Sequence, residues 1–143
     1  FLKPKNLERK ANVSISELGI VCQSELDLVT TLSGGNQQKV MIGRWLSEKS
    51  EVLLLDEPFQ GVDIKARRDI GSQIRQSSKD RATLVFVAEL DEAVEIADKI
   101  VVLHEGSYSG TFENKENNIA DILSLYSGKP SETLAEARGS LNG

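Results

Sequence analysis

An aliphatic run in the middle of the chain is followed at once by two acids and a proline: Val52-Leu53-Leu54-Leu55-Asp56-Glu57-Pro58. A short aliphatic run of this kind predicts a strand buried in a parallel sheet. Ligands of open α/β sheets gather beyond the carboxyl ends of the strands, which is where Asp56 and Glu57 would emerge. Two desolvated carboxylates repel each other, so this pairing is favourable where a cation or a reacting water compensates.

The two acids suit different tasks. Asp56 is suited to hold Mg²⁺ through a water, because Mg²⁺ keeps much of its hydration shell. Glu57 would polarise an attacking water, and Pro58 favours an extended backbone at Glu57. A plain strand that ends in a polar turn explains the same residues, so a catalytic role needs the support of a second motif.

Helical and extended patterns alternate on both sides of the acidic run. The predicted helices cover about 7–18, a stretch after Ser33, 64–79, 90–97 and 116–126, and the predicted strands cover about 51–55, 82–87 and 99–103. Strand, helix, strand, helix, strand is the order expected of a parallel α/β sheet covered by helices on both faces. Gly19 is predicted to end the first helix, and Gly106 to turn the last strand into a hairpin that runs to about Glu113.

Two details of the helices bear on packing and on charge. After Ser33, the apolar residues Val40, Met41, Trp45 and Leu46 are predicted to share one face. In the helix that begins at about Ile64, the cations Lys65, Arg67 and Arg68 would mark an anionic site or simply face water, and a water-facing stripe is the ordinary arrangement.

Composition narrows the class of protein. The 143 residues carry 17 Lys and Arg against 22 Asp and Glu, a net charge of −5. An acidic domain is poorly suited to neutralise the phosphates of DNA or RNA, so we expect no nucleic-acid partner. The one cysteine, Cys22, permits no intrachain disulfide and fits a reducing cytoplasm. No apolar run approaches the roughly 18 residues that span a bilayer, and the charged start from Phe1 to Lys10 has no secretory pattern.

The second motif is a glycine turn before a helix: Leu32-Ser33-Gly34-Gly35-Asn36-Gln37-Gln38. Adjacent glycines let a backbone approach a ligand closely. They lie where the unpaired N–H groups of the following helix carry the positive end of its dipole. A terminal phosphate would fit there, with the Ser33 hydroxyl as an added donor. Taken alone, the turn is more typical of an ordinary helix cap than of a phosphate site.

The two motifs together, followed by Gly61-Val62-Asp63, resemble the nucleotide-binding domain of ABC transporters. In order and spacing they look like that family's signature motif, Walker B strand and D-loop. The likeness covers roughly Leu7 to Ser127. The more specific likeness is to the second ATPase half of bacterial monosaccharide importers of the ribose, galactose and xylose type. Two stretches of sequence carry it: Asn36-Gln37-Gln38-Lys39-Val40 and the later Val102-Leu103-His104-Glu105-Gly106.

The resemblance implies a fold and a set of domains. The fold class would be α/β, a partial P-loop NTPase (RecA-like) parallel sheet with flanking helices, preceded by part of the helical signature subdomain. Residues 1–50 would belong to that helical subdomain and residues 51–127 to the C-terminal part of the ATPase core. Residues 128–143, polar and rich in Gly and Ser, would form a flexible tail.

Site residues follow from the same resemblance. The signature helix of the family binds ATP held by an opposite domain, so the phosphate contacts would be made in trans, by Ser33, Gly34, Gly35, Asn36 and Gln37. Asn36 stands where many members have Gln and can still hydrogen-bond with a shorter reach. Asp63 would bridge the two sites across the interface. Asp56 would hold Mg²⁺, and Glu57 would be the catalytic carboxylate.

Some parts of the family's site are missing from the sequence. There is no Gly-x-x-x-x-Gly-Lys-[Ser/Thr] loop to cradle the β- and γ-phosphates. The chain begins at Phe1 without Met, so we expect it to be a piece of something longer and inactive by itself. The family's switch histidine is matched by Ala88, which can neither donate to a phosphate nor orient a water. His104 follows the next strand and is expected in a surface turn, so it does not replace that histidine. The role of Glu57 is therefore less certain than its residue type suggests, because the site it would serve lacks the histidine.

The implied function is that of the ATP-binding, energy-coupling subunit of a bacterial ABC-type sugar importer, at the cytoplasmic face of the membrane. ATP and Mg²⁺ would be its cofactors. Its partners would be a second ATPase domain, membrane permease subunits and, indirectly, a sugar-binding protein. Two other functions stay open: a soluble ABC ATPase of DNA repair or translation, and a non-catalytic dimerisation or regulatory module with the same fold.

Overall fold

The computed structural model describes residues 4–128. Five α-helices occur in this part of the chain: α1 (Pro4–Glu17), α2 (Gly34–Leu46), α3 (Ile64–Ser77), α4 (Leu90–Ile96) and α5 (Ile119–Tyr126). Four strands accompany them: β1 (Val52–Asp56), β2 (Ala82–Phe86), β3 (Lys99–His104) and β4 (Ser107–Glu113). Single 3₁₀ turns at Val29–Thr31 and Glu116–Asn118 precede α2 and α5. The predicted tail lies, from Lys129 onwards, outside the described residues.

The described chain divides into two compact units, one ending at Glu92 and the other beginning at Ala93. In the first unit β1 and β2 pair in parallel, with Val52 opposite Ala82 and Asp56 opposite Phe86. The parallel α/β pairing predicted from the sequence is therefore confirmed for these two strands.

The core of the first unit forms on one face of this sheet. Leu53 and Leu55 of β1 are buried, as are apolar residues of α2, α3 and the loop after β1: Ile42, Phe59, Ala66, Ile70 and Ile74. The alternate residues Leu54, Leu84 and Phe86 are each about half exposed or more. Alternation of burial along β1 means that one face of the sheet is covered and the other is open, whereas we expected helices on both.

α2 turns a different face to the core than its apolar residues suggested. Lys39, Ile42 and Gly43 are its buried residues, whereas Met41 and Trp45 are more than half exposed. The absent side chain of Gly43 explains part of this, because Leu18 occupies the space where a Cβ would stand. The buried face of α2 is therefore the one that can approach the end of α1 closely, at Gly43, and not the one that carries the most apolar side chains.

The first helix ends at the glycine predicted to end it. Gly19 follows α1 with φ +57, and the N–H of Ile20 returns to the carbonyl of Ile15 at 2.9 Å. This positive φ is accessible to glycine without a steric penalty, so it ends the helix.

The second unit contains the predicted hairpin. β3 and β4 pair antiparallel through a two-residue turn at Glu105 and Gly106, whose φ values are +49 and +72. Two positive φ values in succession are those of a type I′ turn, which suits the twist of paired strands. Ile122 of α5 is 1% exposed, and Ile100 and Val102 of β3 are buried in the same unit.

Candidate nucleotide-contact site

The glycine turn stands at the start of α2. Ser33 is the N-cap residue with an extended backbone, and its side chain makes no capping hydrogen bond to the helix. Ser33 and Gly34 are exposed. The N–H of Gln37 makes the first backbone bond of the helix, to the carbonyl of Ser33 at 2.9 Å. The amides before Gln37 therefore lie at the positive end of the helix dipole without a side-chain cap.

Asn36 and Gln37 turn their side chains toward their own chain. The Asn36 Oδ1 accepts from the N–H of Val21 at 2.9 Å, and its Nδ2 donates to the Ser33 Oγ at 2.9 Å. The Gln37 Nε2 donates to the carbonyl of Leu32 at 2.8 Å. Both side chains therefore brace the turn from within, and Asn36 also ties it to the segment that precedes it.

The two glycines differ in what surrounds them. A Cβ at Gly35 would meet the Cβ of Ala66 at 3.2 Å, a tight contact with α3. A Cβ at Gly34 would meet only the carbonyl oxygen of Gly61, at 3.9 Å, which is ordinary contact. Packing against α3 therefore explains Gly35, whereas it leaves the exposed Gly34 without a packing reason to be glycine.

Asp63 adjoins the glycine turn within the same chain. It is the N-cap of α3, where its Oδ1 accepts from the N–H of Ala66 at 2.8 Å. Its Oδ2 lies 3.9 Å from the position a Cβ of Gly35 would take. The capping bond accounts for an aspartate at this position by itself, and it fixes the carboxylate beside the start of α2.

The acidic pair lies at the carboxyl end of β1, as predicted. Asp56 is the last residue of the strand and is exposed, and Glu57 is partly buried. The expectation of an extended Glu57 is wrong: its φ is +46, in the left-handed region. Its N–H continues the pairing with β2 by donating to the carbonyl of Phe86 at 3.0 Å.

Burial after the strand explains this backbone. The chain must turn at once, because Pro58 and Phe59 are both buried, and the N–H of Gln60 bonds back to the carbonyl of Glu57 at 3.1 Å. These tertiary contacts outweigh the preference of a residue that precedes proline. A non-glycine residue held at positive φ stores strain, which is a frequent property of functional positions.

A hydrogen bond that the sequence did not predict joins the two motifs. The Nε2 of Gln38, in α2, donates to the carbonyl of Pro58 at 2.9 Å. The helix that begins at the glycine turn is thus tied to the residue that follows the acidic pair. The spacing of 20 residues offers no local signal for such a contact.

Charged residues surround the segment that follows β2. Arg67 of α3 pairs with Asp91 at 2.7 Å and lies 4.0 Å from Glu92, in the first turn of α4. Burial raises the pKa of Glu92, Arg67 opposes that change, and the nearby Glu57 reinforces it. Arg67 is therefore a structural ion-pair partner, while Lys65 and Arg68 are exposed as expected. Ala88, which the resemblance matches to the family's switch histidine, is exposed between β2 and α4.

The remaining predicted residue, His104, belongs to the second unit. It ends β3 opposite Ser107, and its ring lies where a side chain on Gly128 would stand. It is a residue of the hairpin end, as the sequence suggested.

Mg²⁺ fits Asp56 as a single protein ligand. Within residues 4–128 no group of three or more His, Cys, Asp or Glu side chains is gathered to hold a metal ion. Mg²⁺ usually takes one or two carboxylates, with water and phosphate oxygens filling its other positions. An exposed carboxylate at a strand end meets that requirement.

The fold and the two motifs define the class of protein. The profile of the ABC transporter family matches residues 5–60. A solved structure of a dimeric bacterial ABC transporter cassette, MJ0796, superposes with a TM-score of 0.69 at 19% identity, over 80% of this chain and 50% of that one, and so shares the fold. Residues 5–60 are therefore a segment of the ABC transporter family, and the described chain has the fold of an ABC transporter cassette.

The relatives found by sequence have names that specify a function more closely. It is 40% identical to the arabinose import ATP-binding protein AraG of Yersinia pestis over 116 residues, which is 80% of this chain and 22% of the relative. It is 35% identical to the galactose/methyl galactoside import ATP-binding protein MglA of Fusobacterium nucleatum over 126 residues, 87% of this chain and 25% of the relative. The chain therefore spans about a quarter of the length of these curated relatives. In the described part, no helix has the length and apolar character needed to cross a bilayer.

Proposed function

We propose that this chain is the signature-bearing part of a sugar-importer ATPase, which presents its glycine turn to ATP held by a second ATPase domain. The exposed, uncapped turn at Ser33 and Gly34 carries this proposal. The amides of Gly34 and Gly35 supply donors at a helix N-terminus, where a γ-phosphate is favoured by both hydrogen bonding and the dipole. Likeness to arabinose and galactose importers supports the transport role.

The Ser33 hydroxyl has a defined part in this contact. Its oxygen already accepts a hydrogen bond from the Asn36 amide. The hydroxyl proton is then available for an acceptor outside the turn, and a phosphate oxygen is such an acceptor. Asn36 and Gln37 act in this scheme by holding the turn in shape, since their side chains bond within the chain.

Chemistry at the acidic strand serves the chain's own site. Mg²⁺ bound near Asp56 would neutralise charge on the phosphates. Glu57 would orient a water for in-line attack. Ala88 offers no side-chain donor to a phosphate or a water, so this site turns over poorly. We therefore assign the competent site to the partner domain, with the signature turn supplied from here and Asp63 at the shared interface.

The complete assembly follows from these roles. Residues 1–50 would form part of the helical signature subdomain and residues 51–127 part of the ATPase core. Closure of two such domains on ATP would drive membrane permease subunits at the cytoplasmic face, and those subunits would receive sugar from a binding protein. Stabilisation of the transition state comes from pre-positioned amides, which need no reorganisation during the reaction.

Mixing the chain with a cassette that holds an intact phosphate loop tests the proposal. ATPase activity of that cassette should rise on addition of the native chain. The variant Gly34→Asp should abolish the rise, because it places a carboxylate at the phosphate position. It should leave the circular dichroism spectrum unchanged, because the site is exposed and has room for a side chain.

The control is Thr30→Asp, which adds the same charge at an exposed position outside the turn. Unchanged stimulation by Thr30→Asp together with loss in Gly34→Asp supports the proposal. Full stimulation by a folded Gly34→Asp chain would refute it.

A further inference from the structure

A buried lysine lies one helical turn beyond the glycine turn. The side chain of Lys39 in α2 is 5% exposed. Lysine is rarely buried unless it is paired. Its Nζ donates to the Oδ2 of Asp69 at 2.6 Å and to the carbonyl oxygen of Gly19 at 3.0 Å. One ammonium group therefore connects three parts of the first unit: the end of α1, the middle of α2 and the middle of α3.

The pair of Lys39 and Asp69 extends the contact between α2 and α3 that begins at the glycine turn. Gly35 and Lys39 are four residues apart, so they lie on the same stripe of α2. Ala66 and Asp69 are three residues apart on the facing side of α3. The close approach at Gly35, where an added Cβ would stand 3.2 Å from the Cβ of Ala66, is thus followed one turn later by the ion pair of Lys39 with Asp69.

The two contacts differ in how strongly they fix the register of α2 against α3. Gly35 and Ala66 bring two backbones close, but such small residues permit the helices to slide past one another. An ion pair with a directed hydrogen bond has one favourable register, and buried polar pairs are best attested as devices that fix register. Sliding of α2 along α3 would displace the amides of Gly34 and Gly35 relative to Asp63.

We propose that Lys39 and Asp69 are positioning residues that hold the glycine turn in register with Asp63 for contact with nucleotide. This inference rests on the proposed function for its role in turnover, while the geometric part stands without it. The carbonyl of Gly19 adds a third tie, which keeps the end of α1 in the same arrangement.

The test uses two substitutions and a matched control in the full chain. Lys39→Met keeps the apolar stem and removes the charge, and Asp69 is 35% exposed, so its freed carboxylate can be hydrated. Asp69→Asn keeps an acceptor and removes the charge. Lys65→Met removes an exposed lysine of α3 and is the control for loss of one positive charge.

Two readouts separate positioning from general stability. In NMR spectra, the amide signals of Gly34, Gly35 and Ala66 should shift in Lys39→Met and in Asp69→Asn, and those of Gly34 and Gly35 should stay native in Lys65→Met. In the mixed ATPase assay, kcat should fall about 10- to 100-fold, the range that small misplacements of reacting groups produce. KM for ATP should stay native, because the partner domain holds the nucleotide. The double variant should lose no more than Lys39→Met alone.

Each remaining outcome has a meaning. Native amide signals at Gly34, Gly35 and Ala66 in both variants would overturn the inference, and so would native kcat in a chain whose signals had shifted. A native chain that gives no stimulation of the partner cassette would overturn the proposed function instead. The spectra alone would then decide whether Lys39 and Asp69 set the register.

Discussion

At the scale of single residues, Glu57 is the most constrained position of the candidate site. Its backbone has φ +46. For a residue other than glycine the left-handed region costs about 1–2 kcal/mol. The strain persists because the buried Pro58 and the bond to Phe86 fix the chain on both sides. The carboxylate of Glu57 therefore occupies a position whose backbone does not suit a glutamate.

Comparison of two side-chain deletions measures that strain. Glu57→Ala and Glu57→Gly both remove the carboxylate, and only glycine accepts the positive φ freely. We expect Glu57→Gly to be the more stable of the two, by about 1 kcal/mol. Urea unfolding of both variants supplies the measurement. A more stable alanine variant would show that Glu57 does not hold this backbone in solution.

The ionisation of Glu92 predicts a pH dependence. Burial raises its pKa, so the folded chain holds the proton more tightly than the unfolded chain does. This contribution to stability is complete below the ordinary pKa of a glutamate and is lost as the pH rises through the raised pKa. Glu92→Gln should therefore gain stability relative to the native chain as the pH increases across that interval.

The measurement is a series of urea unfolding curves at pH values on both sides of the ordinary glutamate pKa. Glu51→Gln, at an exposed position, is the control for the loss of one negative charge. A difference between Glu92→Gln and the native chain that stays constant with pH would contradict the expected direction.

At the scale of elements, short backbone segments with special geometry terminate and connect the helices and strands. The hairpin of β3 and β4 depends on two consecutive positive φ values, at Glu105 and Gly106. Gly106 was identified from its residue type, because glycine is the usual occupant of such a position. Glu105 was not, because glutamate has no preference for this conformation.

Gly106→Ala should lower the free energy of unfolding by about 1 kcal/mol or more, because alanine must adopt a left-handed backbone there. A Cβ at Gly106 would meet no atom within 4 Å, so the loss would come from the backbone alone. Glu105→Asn should act in the opposite direction, since asparagine tolerates positive φ. In thermal unfolding, Glu105→Asn should be the most stable chain, the native chain the next and Gly106→Ala the least stable. The reverse order would contradict the positive φ values assigned to this turn.

At the scale of the whole molecule, two motifs far apart in sequence meet in one unit. Gly35 packs on Ala66, and Gln38 reaches the carbonyl of Pro58. The glycine turn, Asp63 and the acidic strand therefore lie in one packed unit, although we propose that they serve two different ATP sites. Such sharing offers a physical route by which events at one site bias the other.

Asymmetry between those sites is the prediction at this scale. In the mixed ATPase assay, Glu57→Gln should keep most of the stimulation, because in the proposed assignment the site that Glu57 serves has Ala88 in place of a histidine. Gly35→Asp should abolish it, and part of this loss should appear as reduced stability, since the side chain would press on Ala66 and lie beside Asp63. Equal and complete loss in both variants would contradict the asymmetry.

The sequence alone determined the parts that depend on local chemistry. It predicted the order of helices and strands, the parallel pairing after the acidic run, the hairpin turn, and both motifs with their family. These follow from periodicity, from glycines at turns and from residue types at fixed spacing, all of which act within a few neighbours.

Only the tertiary structure decided which face of α2 is buried, the left-handed backbone of Glu57, and the partners of Lys39, Gln38 and Arg67. Each of these depends on a residue distant in sequence: Leu18 against Gly43, Phe86 for Glu57, Asp69 for Lys39. Contacts between elements outweigh local preference wherever close packing or a buried charge is at stake, because unmatched volume and unpaired charge cost more than a backbone or helix propensity gains.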